Sequence, residues 1–132
     1  METTVCRPRA GERDITWQII GAAIEVHRAL GPGMLESAYC TCLAHEFGLR
    51  NLRFEREKPL DLHYKELKVE HAFRADFIVN DQVVVEVKAV DGLAAVHDAQ
   101  VLTYLRVSGR RVGLLFNFNV YNLRQGTKRL FR

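Results

Sequence analysis

Val83-Val84-Val85-Glu86-Val87-Lys88-Ala89-Val90 has the valine content of a β-strand buried on both faces, yet it carries two charges. Side chains alternate along a strand, so Glu86 and Lys88 share one face while Val85 and Val87 share the other. Burying an unpaired charge is costly, and even a buried ion pair only breaks even for stability. An edge strand with one face in water would tolerate the same pair. The residues on either side decide between the two.

Upstream, Ala75-Asp76-Phe77-Ile78-Val79 reads as a neighbouring strand, and aspartate is disfavoured within strands. Asn80-Asp81 between the two runs signals a hairpin, less strongly than Asn-Gly would. Folding back there brings Asp76 and Glu86 near one another. Two adjacent carboxylates repel, and in a dry site one of them would take up a proton. A divalent cation removes the conflict, and Mg²⁺ prefers oxygen ligands while keeping several waters. Aspartate on one strand and Glu-x-Lys on the next therefore reads as a metal site with a cation beside it.

Further toward the N-terminus, Ile15, Ile19, Ile20, Ala23, Val26 and Leu30 recur at helical spacing, with Asp14 available as the cap. Gly31-Pro32-Gly33 stops that helix in a sharp turn. A second helix is expected over 35–47, with Gly48 just past its end. Glu36 falls in its first turn, where an acid also suits the helix dipole, and Tyr39 lies on the same face. Phe54 to Pro59 and Leu60 to Tyr64 read as extended, followed by a polar turn at Lys65-Glu66 and a strand over 72–79. Beyond Asp91-Gly92 a third helix is expected over 93–107, closed by Gly109, with Gln100 and Tyr104 four apart on one face. That pair serves equally well as a helix surface contact. Val112 to Phe118 returns to a strand, and Lys128 to Phe131 to an edge strand. The order predicts a sheet with helices packed against it.

The chain has 132 residues, 48% hydrophobic and 27% charged, which fits one globular domain over 15–132 after a flexible segment over 1–14. No apolar run is long enough to span a bilayer, and residues 1–14 lack a signal-peptide core, so a cytoplasmic protein is expected. Cys6, Cys40 and Cys42 include no CxxC pair, and the five histidines form no metal-binding pair. A Gly-rich phosphate loop is also missing, which argues against nucleotide substrates. All 16 acidic residues lie at or before Asp98, whereas Arg106, Arg110, Arg111, Arg124, Lys128, Arg129 and Arg132 follow it. A basic last quarter is the simplest footprint for a polyanion, and is also compatible with a solvated face.

Gly31-Pro32-Gly33…Glu36-x-x-Tyr39, then Ala75-Asp76, Glu86-x-Lys88 and Gln100-x-x-x-Tyr104, resembles the GxxxExxY proteins of the PD-(D/E)XK nuclease superfamily. The resemblance covers about Ile15 to Phe131. It implies an α/β, restriction-endonuclease-like core, a mixed central sheet flanked by helices. It further implies a hydrolase that cleaves nucleic acid, DNA in the first place, with Mg²⁺ or Mn²⁺. Asp76 and Glu86 would bind the metal, and Glu36 would complete its shell directly or through water. Lys88 would hold or activate the attacking water. Gln100 and Tyr104 match the QxxxY element of RecB-like and phage-exonuclease relatives, which orients the lysine or contacts DNA. Ala75 replaces the proline of the superfamily motif, which does not ligate metal. Pro32 stands where the GxxxExxY glycine falls, with glycines at 31 and 33, a local shift in the turn. The competing expectation is a catalytically silent nucleic-acid-binding or protein-interaction module on the same fold. A domain of this size is also expected to act with partners or as a homodimer.

Overall fold

The computed structural model describes residues 12–132. Helices α1 (Glu12–Leu30) and α2 (Glu36–Leu49) precede strands β1 (Phe54–Tyr64), β2 (Leu67–Val79) and β3 (Val83–Lys88). Helix α3 (Ala95–Ser108) then leads to β4 (Val112–Asn117), a 3-10 turn (Leu123–Gly126) and β5 (Thr127–Phe131). The five strands form one sheet in sequence order, antiparallel throughout except for the parallel pair β3–β4 that α3 connects. This is the mixed, helix-flanked sheet expected, with β5 at its edge.

Strand alternation sorts the core into two layers. Val83, Val85 and Val87 of β3 join Leu114 and Phe116 of β4 against Ile19 of α1 and Leu43 and Phe47 of α2. Val84 and Leu115 face the other way, against Val101, Tyr104 and Leu105 of α3. The fold is a three-layer α/β/α sandwich, so β3 is central and its two charges are not on an edge. Close approach of α3 to β4 depends on Gly113, where a Cβ would lie 2.6 Å from Val101 Cγ1.

Several boundaries differ from the sequence expectation, each for a local reason. Helix α1 starts at Glu12, so Asp14 is its third residue and not its cap; the expected flexible segment otherwise lies outside the described residues. Helix α2 runs through Gly48, and Asn51, at φ 57°, takes the left-handed position after it. The N–H groups of Leu52 and Asn51 donate to Phe47 O (2.9 Å) and Gly48 O (3.0 Å), the paired bonds of a Schellman ending. At the β2–β3 hairpin, Asn80 and Asp81 both have positive φ (52° and 55°) and Gln82 N–H donates to Val79 O. That is the type I′ turn for which an Asn-Asp pair is suited. The two extended segments before Tyr64 are one strand with a register shift between Leu60 and Leu62.

Candidate active site

Backbone pairing between β2 and β3 ends at Phe77 opposite Val85, and the next pair would be Asp76 and Glu86. Their side chains take over there. Asp76 N–H donates to Glu86 Oε1 (3.2 Å), and Val87 N–H donates to Asp76 Oδ2 (2.8 Å). Each carboxylate thus clamps the backbone of the other strand, and the two strands fork at this point. Lys88 Nζ lies 3.6 Å from Glu86 Oε2, in a pair whose side chains are only 16% and 5% exposed. Glu36 arrives from α2, its Oε2 accepting from Ala89 N–H (3.2 Å) just past the end of β3.

Two buried carboxyls side by side are electrostatically uncomfortable, and both resist ionisation. Burial, then repulsion from Asp76, pushes the Glu86 carboxyl up to about 7, against the pull of Lys88 and of the Asp76 N–H. Burial also raises Asp76, aided by Glu36 and opposed by the Val87 N–H and Lys88. Burial and the same two carboxylates push the Tyr104 phenol up to about 12, so it stays a hydrogen-bond donor. Gln100 stands one turn earlier on α3, on the same side as Tyr104. The Cys40 thiol, buried beside Asp76, is likewise raised to about 12 and is unreactive as a nucleophile.

The donor set is oxygen-rich, negative and poorly solvated, which suits a hard divalent cation. Among the described residues no three His, Cys, Asp or Glu side chains are already gathered into a metal cage. The strand fork instead presents a carboxylate pair, with Glu36 close enough to raise Asp76. A metal bound there would have to complete its shell largely with water, as Mg²⁺ commonly does.

Two neighbours hold Glu36 and Lys88 in place. Gly31 and Gly33 both have positive φ (68° and 102°), which explains the glycines flanking Pro32. Tyr39 is fully buried and stacks on Phe118, with ring centroids 4.6 Å apart. Its hydroxyl donates to Gly31 O (2.6 Å) and accepts from Met34 N–H (3.1 Å). Tyr39 therefore locks the turn that aims α2 at the site. Beyond Lys88, buried Asn117 pairs with both backbone groups of Val90, at 3.0 Å each.

The structure brings Glu36, Asp76, Glu86 and Lys88 together, places Tyr104 beside the carboxylates, and brings Gln100 in behind it. Sequence reasoning missed Arg56 and Arg74, which line a cavity of about 250 Å³ with Glu36 and Asp76. Arg74 stands two before Asp76 on the same strand, a signal that was available; Arg56 comes from β1, opposite Phe77, and carried none. The basic last quarter does not act as one stripe. Arg110 pairs with Asp81, Lys128 with Asp98 (3.1 Å), and Arg132 with the carbonyls of Gly109 and Arg110.

A forked central strand pair bearing acid, acid and lysine defines a restriction-endonuclease-like α/β domain. A family model of the PD-(D/E)XK nuclease superfamily matches residues 13–130, and the chain belongs to that superfamily. Its members are nucleases that generally use divalent metals such as Mg²⁺. No curated protein and no solved structure matches significantly. No helix among the described residues is long and apolar enough to cross a membrane.

Proposed function

We propose that the chain is a divalent-metal-dependent nuclease of the GxxxExxY group that hydrolyses nucleic-acid phosphodiester bonds, DNA in the first place, in the cytoplasm. The observation that carries this reading is the Asp76–Glu86 pair, whose raised carboxyls sit beside Lys88. Such a pair works against folding on its own and has a purpose once a cation neutralises it. Asp76 and Glu86 would hold Mg²⁺ or Mn²⁺, with Glu36 reaching it directly or through water. When bound, the metal supplies Lewis-acid polarisation of the phosphoryl oxygen and lowers the pKa of a bound water.

The chain's own groups do the rest. Lys88 holds the attacking water and adds positive charge where negative charge grows on the phosphate. The water oxygen bonds to phosphorus as the bond to the leaving oxygen breaks; the water sheds one proton to solvent and the leaving oxygen takes one up. Tyr104, kept protonated, and Gln100 orient Lys88 or the strand beside it. Arg56 and Arg74 offer bidentate contacts to a flanking phosphate.

A silent binding module on the same fold has one observation in its favour: Asp76 and Glu86 already accept from backbone N–H groups. Calorimetric titration with Mn²⁺ separates the two readings. One site, lost in Asp76→Asn and in Glu86→Gln, is expected of the nuclease. No Mn²⁺ binding at millimolar concentration sinks it.

A further inference from the structure

Two open cavities of about 710 and 300 Å³ lie along the exposed face of α1, away from the strand fork. They share Ile24 and Arg124, so they form one groove, and among the described residues no acidic one lines either. Arg28, Arg124 and Arg129 do line it. Among the described residues Arg28 makes only a loose, exposed pair with Glu25 at 3.5 Å. The Arg124 guanidinium makes no ion pair or side-chain hydrogen bond with the described residues. Arg129 lies over the Trp17 ring at 5.8 Å, and its buried Nε has no hydrogen-bond partner among the described residues.

Two aromatic rings stand among these arginines without a packing role that would explain their exposure: Tyr121 is 94% exposed and Trp17 56%. Duplex nucleic acid held by its backbone needs the charges and not the rings. Arginines held by at most one weak carboxylate contact among the described residues, interleaved with exposed aromatic rings, suit a single strand, whose phosphates meet the charges and whose unstacked bases meet the rings.

Short stretches of chain connect the groove to the candidate site around the end of the sheet. Gly31 and Pro32, in the turn that aims Glu36, line its larger cavity. Asn117 is the register partner of Lys88, and Tyr121 follows four residues later. Four residues reach at most about 14 Å, or roughly four stacked nucleotides at ~3.4 Å each.

We propose that this groove binds the single-stranded continuation of a nucleic acid whose phosphodiester lies at Lys88, with bases on Tyr121 and Trp17 and phosphates on Arg28, Arg124 and Arg129. The substrate class is therefore single-stranded nucleic acid or a single-stranded overhang. The inference rests on the nuclease reading for what happens at Lys88, and on its own observations for the groove.

The test uses the full chain carrying Lys88→Ala, so that nothing is cut, and fluorescence anisotropy across a KCl series. The probes are labelled thymidine oligonucleotides of 5 and 15 nucleotides and a 15-base-pair blunt duplex. The 15-mer is expected to bind at least tenfold more tightly than the 5-mer or the duplex. Adding Tyr121→Ala should weaken 15-mer binding by roughly 5- to 100-fold, and adding Arg124→Ala should reduce its salt slope by about 0.7. Both residues are exposed, and thermal melts confirm that the variants fold. Unchanged 15-mer binding in both variants overturns the groove, as does a duplex bound as tightly as the 15-mer. A wild-type dimer that Tyr121→Ala dissociates, seen by sedimentation, also overturns it by making this face a self-interface. Cleavage by the wild type alongside unchanged binding in the groove variants sinks the groove alone. Groove-dependent 15-mer binding without any metal-dependent cleavage sinks the nuclease reading and leaves the groove as a binding surface.

Discussion

Replacing Glu86 by glutamine should make the metal-free protein more stable while abolishing its chemistry. Glu86 is 4% exposed and stands beside Asp76, so its ionisation is opposed in the folded state. The carboxyl titrates near 4.5 in the unfolded chain and near 7 when folded, so the proton is held more tightly by the native protein. The resulting penalty is absent below about 4.5, grows as pH rises, and is complete above about 7. At about 1.4 kcal/mol per pH unit it reaches roughly 3 kcal/mol. Glutamine removes it and can still accept from the Asp76 N–H, but it gives up the partner of Lys88. A net gain of about 1–2 kcal/mol is expected, or roughly 3–10 °C in Tm for a domain of this size. Differential scanning calorimetry with EDTA at pH 8 and pH 5 reads this directly, with the gain full at pH 8 and mostly gone at pH 5. With millimolar Mg²⁺ at pH 8 the wild type should recover most of the deficit and the variant should not respond. A variant less stable than wild type at pH 8, or a gain that does not depend on pH, refutes the reasoning.

Tyr39→Phe keeps the ring stack on Phe118 and deletes the hydroxyl that joins Gly31 O to Met34 N–H; urea melts should show a loss of about 1–2 kcal/mol, with weaker Mn²⁺ binding as Glu36 loosens. Asn117→Ala strands the Val90 N–H and leaves its carbonyl only the long 3.5 Å contact from Asn119 Nδ2, and should cost about 1–3 kcal/mol in the same assay. Gly113→Ala drives a methyl to within 2.6 Å of Val101 Cγ1 and should cost about 1–3 kcal/mol. Pairing it with Val101→Ala should leave the double variant more stable than the sum of the two singles, a coupling that a double-mutant cycle measures.

What could be read from the chain was local. Val83 to Val90 gave the central strand and its buried charges because period-two alternation is a property of adjacent residues. Asn80-Asp81 gave the hairpin, and with it the meeting of Asp76 and Glu86, because left-handed backbone at both positions favours those residue types. The glycines of the turn before Glu36 followed from the same chemistry. What escaped depends on contacts between distant segments. Glu36 bonds to Ala89 across 53 residues, and Asn117 to Val90 across 27, and neither spacing leaves a mark in composition or periodicity. Tyr39 shares a helix with Glu36, yet its hydroxyl serves the turn, which becomes visible only once Phe118 is packed beneath the ring. Helix ends were misplaced where a second residue could do the same job: Asn51 replaces Gly48 as the left-handed terminator. The basic last quarter was a true bias of composition, but ion pairs with Asp81 and Asp98 turn two of its residues to structural use.

The most direct measurement is cleavage of linear and circular, single- and double-stranded DNA and RNA in Mg²⁺, Mn²⁺ or EDTA, with Asp76→Ala and Lys88→Ala run beside the wild type after their folding has been checked. The expected result is metal-dependent cutting by the wild type, strongest on single-stranded or overhanging DNA, and reduced at least a hundredfold in both variants. Cutting that survives in EDTA or in both variants contradicts the assigned site, and a wild type that cuts none of these substrates contradicts the nuclease itself.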